Sequence, residues 1–150
     1  MTDLVDDVER DRVAARIDAW AAEALADNPV VAAVEQVAAD DARRWFVRVH
    51  GEEKDVFTLW LALRQRRLHV ECYLMPAPEE NHGALYEHLL RRNLKLHRLA
   101  FAIGGEDGIY LKGEHDLDAV DADLLDEVLG SVYAAVELCF RPAMRIGFAS

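Results

Sequence analysis

Serine is almost missing from this chain: Ser131 and the terminal Ser150 are the only two. Ser131 falls inside a helical pattern with no Gly-x-Ser-x-Gly around it, so the strained turn that presents a nucleophilic serine is lacking. Cysteine is as scarce. Cys72 and Cys139 sit among apolar neighbours, Val70-Glu71-Cys72-Tyr73-Leu74 and Leu138-Cys139-Phe140. Two isolated cysteines of this kind read as buried reduced thiols, not as a disulfide framework or a zinc site. No apolar run approaches the roughly 20 residues that span a bilayer. The acidic start MTDLVDDVERD also lacks the basic-then-apolar order of a secretion signal. A soluble cytoplasmic protein with no membrane partner is expected. Cations too are few: 17 Lys and Arg stand against 28 Asp and Glu, a formal charge of -11. That balance argues against nucleic acid, because each bound phosphate wants a cation opposite it.

What is present is apolar material in quantity. A hydrophobic fraction of 52% over 150 residues suits one folded domain spanning 1–150 and excludes a mainly disordered chain. The acidic excess gathers in the first dozen residues and in Asp116 to Glu127. Two local basic clusters interrupt it. One is Arg91, Arg92, Lys95 and Arg98 with His88 and His97; the other is Arg64, Arg66 and Arg67. Both read as solvated surface that could face an acidic partner.

The hydrophobic period divides the chain. Val5, Val8, Val13, Ile17, Trp20 and Ala24 recur at helical spacing, predicting a helix over 3–27 that Asn28-Pro29 stops. Asp3, Asp6 and Asp7 suit the positive end of its dipole. Residues 30–37 are a strand candidate, with a turn at Asp40-Asp41. Strict alternation then marks strands over 43–50, 56–63 and 68–75. Trp45, Val47 and Val49 point one way while Phe46, Arg48 and His50 point the other. After a helix predicted over 78–93, alternation returns at 97–103 and 109–113. Gly104-Gly105-Glu106-Asp107-Gly108 lies between them as a hairpin turn in which glycine would accept positive φ. A last helix is predicted over 121–140, with Pro142 ending it. Helix, meander, helix, hairpin, helix is the order of an α+β fold, an antiparallel sheet packed with helices.

Candidate chemistry is thin. Glu79-x-x-His82 has the spacing of half a di-metal carboxylate motif, but a complete site needs a second such pair. The same stretch is accounted for as a helix start-to-cap unit. Pro78, Glu79 and Glu80 suit a first turn; Leu85, Leu89, Leu90 and Leu94 supply its apolar side. Arg91 and Arg92 suit the end, with Asn93 as cap. Gly104-Gly105-x-x-Gly108 has no helix after it and is no phosphate loop. His69-x-Glu71 reads as a solvated pair on a sheet surface. No enzyme, resident metal or cofactor is expected from this inventory.

The other face of the meander is more informative. If its leucine-rich side packs on helices, Phe46, Trp60 and Tyr73 stand opposite with Arg48, Thr58, His69 and Glu71, and Tyr110 and Lys112 extend the set. Aromatics mixed with polar groups are typical of a contact surface. A covering terminal helix is the alternative. A small-molecule or metal sensor is the competing functional reading, resting on His69, Glu71, Glu79, His82 and His88.

Several segments carry a family resemblance. Trp45-Phe46-Val47-Arg48-Val49, Leu68-His69-Val70-Glu71 and the block Pro78-Glu79-Glu80-Asn81-His82 through Leu89-Leu90-Arg91-Arg92-Asn93-Leu94 resemble the YbjN family. So does the pairing of Ala100-Phe101-Ala102-Ile103 with Gly108-Ile109-Tyr110-Leu111. The resemblance runs from about residue 40 to 148. It implies a fold similar to type III secretion chaperones, a sensory or regulatory role, protein partners, a homodimer and no catalytic residues to carry over.

Overall fold

The computed structural model describes residues 2–38 and 43–149. Among these, the chain forms helix α1 (Thr2–Asp27), strands β1 (Val31–Ala38), β2 (Arg43–His50), β3 (Val56–Leu63) and β4 (Arg67–Met75), helix α2 (His82–Asn93), strands β5 (Ala100–Ile103) and β6 (Ile109–Asp116), and helix α3 (Ala122–Gly147). The strands make one antiparallel sheet in the order β1-β2-β3-β4-β6-β5. This is the α+β architecture that the alternation predicted.

Period two decides which face is dry. Trp45, Val47 and Val49 of β2, Phe57, Leu59, Leu61 and Leu63 of β3, and Leu68, Val70, Cys72 and Leu74 of β4 are all buried. Against them lie Val13, Ile17 and Trp20 of α1 and Leu125, Val128, Val132, Val136 and Cys139 of α3. Two buried indoles need partners for their N–H groups, and carboxylates supply them. Trp20 Nε1 donates to Asp126 Oδ1 at 2.8 Å, and Trp45 Nε1 donates to Asp18 Oδ1 at 2.7 Å. These two bonds tie α1 to both α3 and the sheet. Cys72 and Cys139 are free and buried, and burial pushes the Cys72 thiol up to about 12.

Several local expectations are corrected. Helix α2 begins at His82, not Pro78, and has no acidic residue in its first turn. Asn81 takes φ 57° and ψ 39°, a left-handed conformation that asparagine tolerates better than most residues. The Glu79 and Glu80 amides donate to the carbonyl of Gly147 at 3.0 and 3.1 Å, and Asn81 Nδ2 donates to the carbonyl of Ile146 at 2.9 Å. The segment before α2 therefore caps the end of α3. Pro142 does not end α3, which continues to Gly147. Proline removes one bond in the last turns, but the contact with residues 79–81 holds those turns from outside. A Cβ on Gly147 would come to 3.0 Å from Pro78 Cβ, so a larger residue there would push the two segments a few tenths of an ångström apart.

In the β5–β6 hairpin, positive φ falls on Glu106 (56°) and Asp107 (60°), and on no glycine. Gly104 serves space instead, since a Cβ there would strike the Tyr110 ring. Strand β5 starts at Ala100, later than expected, and β6 runs on to Asp116. Leu85 and Leu89 of α2 are buried as predicted, whereas Leu90 and Leu94 are exposed. Val8 is also exposed, so among the described side chains the buried stripe of α1 starts at Val13. The expected turn at Asp40-Asp41 and the side chains of Asp3, Val5 and Asp6 lie outside the described residues.

Candidate protein-binding face of the sheet

The side of the sheet away from the helices carries the outward residues of β2, β3, β4 and β6. Register sets them in rows. Phe46 pairs with Trp60, Trp60 with Glu71, and Glu71 with Lys112. The next row runs Arg44, Ala62, His69, Glu114. Arg48 pairs with Thr58, and Tyr73 with Tyr110.

Two ring pairs dominate this face. Phe46 and Trp60 stand with centroids 5.1 Å apart, and Tyr73 meets Tyr110 edge-on at 5.4 Å. Both are within the range for favourable aromatic contact. Trp60 is 38% exposed and Tyr73 42%, large apolar area left in water. Among the described residues no helix covers these rings. Packing and the neighbouring Tyr110 and Glu106 hold the Tyr73 hydroxyl above its ordinary pKa.

Charged groups surround the rings. Lys112 Nζ lies 3.5 Å from Glu71 Oε1, and His69 Nδ1 lies 3.3 Å from Glu114 Oε1. Arg67 Nη1 reaches Glu114 Oε2 at 3.1 Å. At one margin Lys54 donates to the carbonyl of Leu74 at 2.7 Å and lies over the rings of Tyr73 and Phe140. Burial there lowers its pKa, partly offset by Cys72. His69 thus pairs with Glu114 across the strands, and Glu71 with Lys112. Among the described residues no group of three or more His, Cys, Asp or Glu side chains comes together to hold a metal ion. His82 is exposed beside the Tyr86 ring.

Of the predicted site residues, Phe46, Arg48, Trp60, His69, Tyr73 and Tyr110 come together on this face. The motif residues Pro78 to Asn93 do not join them. They form the α3 cap and α2, which packs on α3 and β5. Within the motif, Asn93 is no αL cap. Its Oδ1 accepts from the Phe101 amide at 2.7 Å, and its Nδ2 approaches the Phe101 carbonyl at 3.4 Å. Sequence reading missed Arg44 and Ala62, although extending the β2 and β3 alternation by one step places both on the outer face.

The YbjN family profile, described as "Putative bacterial sensory transduction regulator", matches residues 14–143. An uncharacterized protein of Mycobacterium leprae is 35% identical over 111 residues, covering 74% of this chain and 60% of its own length. One of Mycobacterium bovis is 36% identical over 104 residues, covering 69% of this chain and 57% of its own length. The chain therefore spans less than two thirds of these relatives. The heterodimeric ExoU–SpcU complex from the type III secretion system of Pseudomonas aeruginosa contains a chain similar in fold, with TM-score 0.52 and 13% identity. That match covers 84% of this chain and 98% of the other. Among the described residues no helix is long and apolar enough to cross a membrane.

Proposed function

The chain belongs to the YbjN family, and from that premise we propose that it is a non-enzymatic protein-binding module with a chaperone-like or regulatory role in the cytoplasm. One observation carries the reading: the sheet face with Phe46, Trp60, Tyr73 and Tyr110 is left uncovered. Rigid aromatics offer large contact area at small entropic cost, and they are enriched where binding energy concentrates. Arg48 and His69 at the margin give a partner polar groups to register against. The likeness in fold to a chain of a heterodimeric secretion complex supports a protein partner.

Self-association belongs to a different place. Leu90 and Ile103 are exposed beside the free edge of β5, where Tyr86, Phe101 and Ile109 complete an apolar groove of about 210 Å³. Exposed apolar side chains gathered at this groove invite a second copy, and a homodimer formed there leaves the aromatic face open. The whole of residues 1–150 acts as one domain in this reading.

The test is affinity capture from the native cell with the wild-type chain and with Trp60→Glu, followed by mass spectrometry. Trp60 is partly exposed, so the variant should fold, as circular dichroism will show. A protein retained by the wild type and lost by Trp60→Glu supports the reading. An identical retained set rejects the face as the binding surface.

A further inference from the structure

Arg44 stands out among the cations of the outer face. Its Nε is buried, and the side chain makes no hydrogen bond or ion pair among the described residues. It borders a depression of about 230 Å³. The depression follows from register. Ala62 lies between Arg44 and His69 in one row, and a methyl group there leaves room that a longer side chain would fill. Trp60, on the neighbouring row, forms an apolar wall. Arg64 and Lys112 also reach the rim, and among the described residues Glu71 is the one carboxylate lining it. Among the described residues, Arg44 and Lys112 border the depression against the carboxylate of Glu71, on a chain of formal charge -11. Lys112 already answers Glu71, and Arg67 with His69 answers Glu114. Among the described residues, Arg44 is left facing the depression without a counter-charge.

We infer that this depression is a recognition site for a carboxylate, carried by an aspartate or glutamate of a partner segment that lies across the Phe46–Trp60 rings. The site rests on the protein-binding reading of the same face and names the chemistry it selects. A guanidinium presents paired donors that match the two oxygens of a carboxylate. Trp60 beside it takes the apolar part of the same segment and lowers the local dielectric, which strengthens the ion contact. The surroundings of the depression favour a side chain over a free small acid. The depression is walled by Trp60 and so runs on to the Phe46–Trp60 ring pair, where the rest of such a segment would lie.

The test uses the full chain and a capped peptide carrying one aspartate beside one phenylalanine, with its asparagine counterpart and free succinate as controls. NMR follows the Arg44 Nε–Hε and Trp60 indole N–H signals. The aspartate peptide should shift both signals saturably and bind roughly tenfold more tightly than the asparagine peptide. Arg44→Gln should abolish that difference, and Ala62→Leu should block the depression without changing charge. Melting curves of both variants check that they fold, and either folded variant suffices. Equal binding of the two peptides, or an unchanged preference in Arg44→Gln, overturns the site. Succinate binding as tightly as the aspartate peptide also overturns it, in favour of a small-acid pocket. Native capture separates this inference from the broader one. Partners kept by Arg44→Gln but lost by Trp60→Glu refute the carboxylate site alone; partners kept by both refute the face as well.

Discussion

The Asn93 carboxamide faces the backbone of Phe101 as a neighbouring strand would, its oxygen accepting from the amide at 2.7 Å and its nitrogen approaching the carbonyl at 3.4 Å. One side chain thereby occupies polar groups on the free edge of β5 and fastens the end of α2 to it. Asn93→Ala should lower unfolding free energy by about 1–3 kcal/mol, because the partly buried Phe101 amide is left unsatisfied. Urea titration measures this. A change within a few tenths of a kcal/mol would mean that water replaces the carboxamide.

Within the same helix, Leu89 and His82 separate packing from chemistry. Leu89 is 3% exposed and part of the core, so Leu89→Ala should cost about 2–5 kcal/mol. His82 is exposed, and His82→Ala should change stability by less than about 0.5 kcal/mol. The same titration reads both. A large loss from His82→Ala would give that histidine a structural role beyond its contact with the Tyr86 ring.

Assembly should respond to the β5 edge and not to the aromatic face. At tens of micromolar, light scattering should give about twice the chain mass of 16.9 kDa. Leu90→Glu, at a position 65% exposed in the protomer, should fold and reduce that mass to a monomer. Trp60→Glu should leave it unchanged. A wild-type monomer rejects the dimer outright, and a Leu90→Glu dimer places the contact elsewhere.

His115 sets a pH dependence. It is buried, its Nε2 has no hydrogen-bond partner, and burial with the nearby Arg98 lowers its pKa, against a smaller opposing effect of Asp116. The native state thus resists protonation that the unfolded chain accepts near the ordinary histidine value of about 6.5. Stability from this group is complete above that pH and falls as the solution is acidified through it. His115→Gln should flatten the wild-type decline below about pH 6.5, measured by denaturant midpoints at successive pH values. Parallel curves for the two chains would refute the assignment.

The sheet was legible in the sequence because burial imposes period two, which β3 obeys throughout, β2 from Arg44 onward and β4 as far as Leu74. The aromatic face followed from the same parity. What stayed hidden depends on contacts between distant segments. Nothing near Pro142 announces that α3 continues past it, since the partners of its last carbonyls are residues 79–81. The hairpin misled in the opposite way: glycines suggested positive φ, but Tyr110 needs their bareness, and Glu106 and Asp107 carry the turn. The depression beside Trp60 was invisible for a third reason. It is made by the smallness of Ala62, and its place between Arg44 and His69 requires both strand registers at once.

The contact between residues 79–81 and the end of α3 also has a kinetic meaning. Its two sides lie 65 residues apart at the Asn81–Ile146 bond, so it closes one of the longer loops in the chain. Closure of that length costs entropy before it returns any contact energy. Because its bonds join two segments far apart in the chain, the cap should open on both sides at once. Amide exchange would register it as one cooperative unit, with the Glu79 and Glu80 amides losing protection together with the final turn of α3.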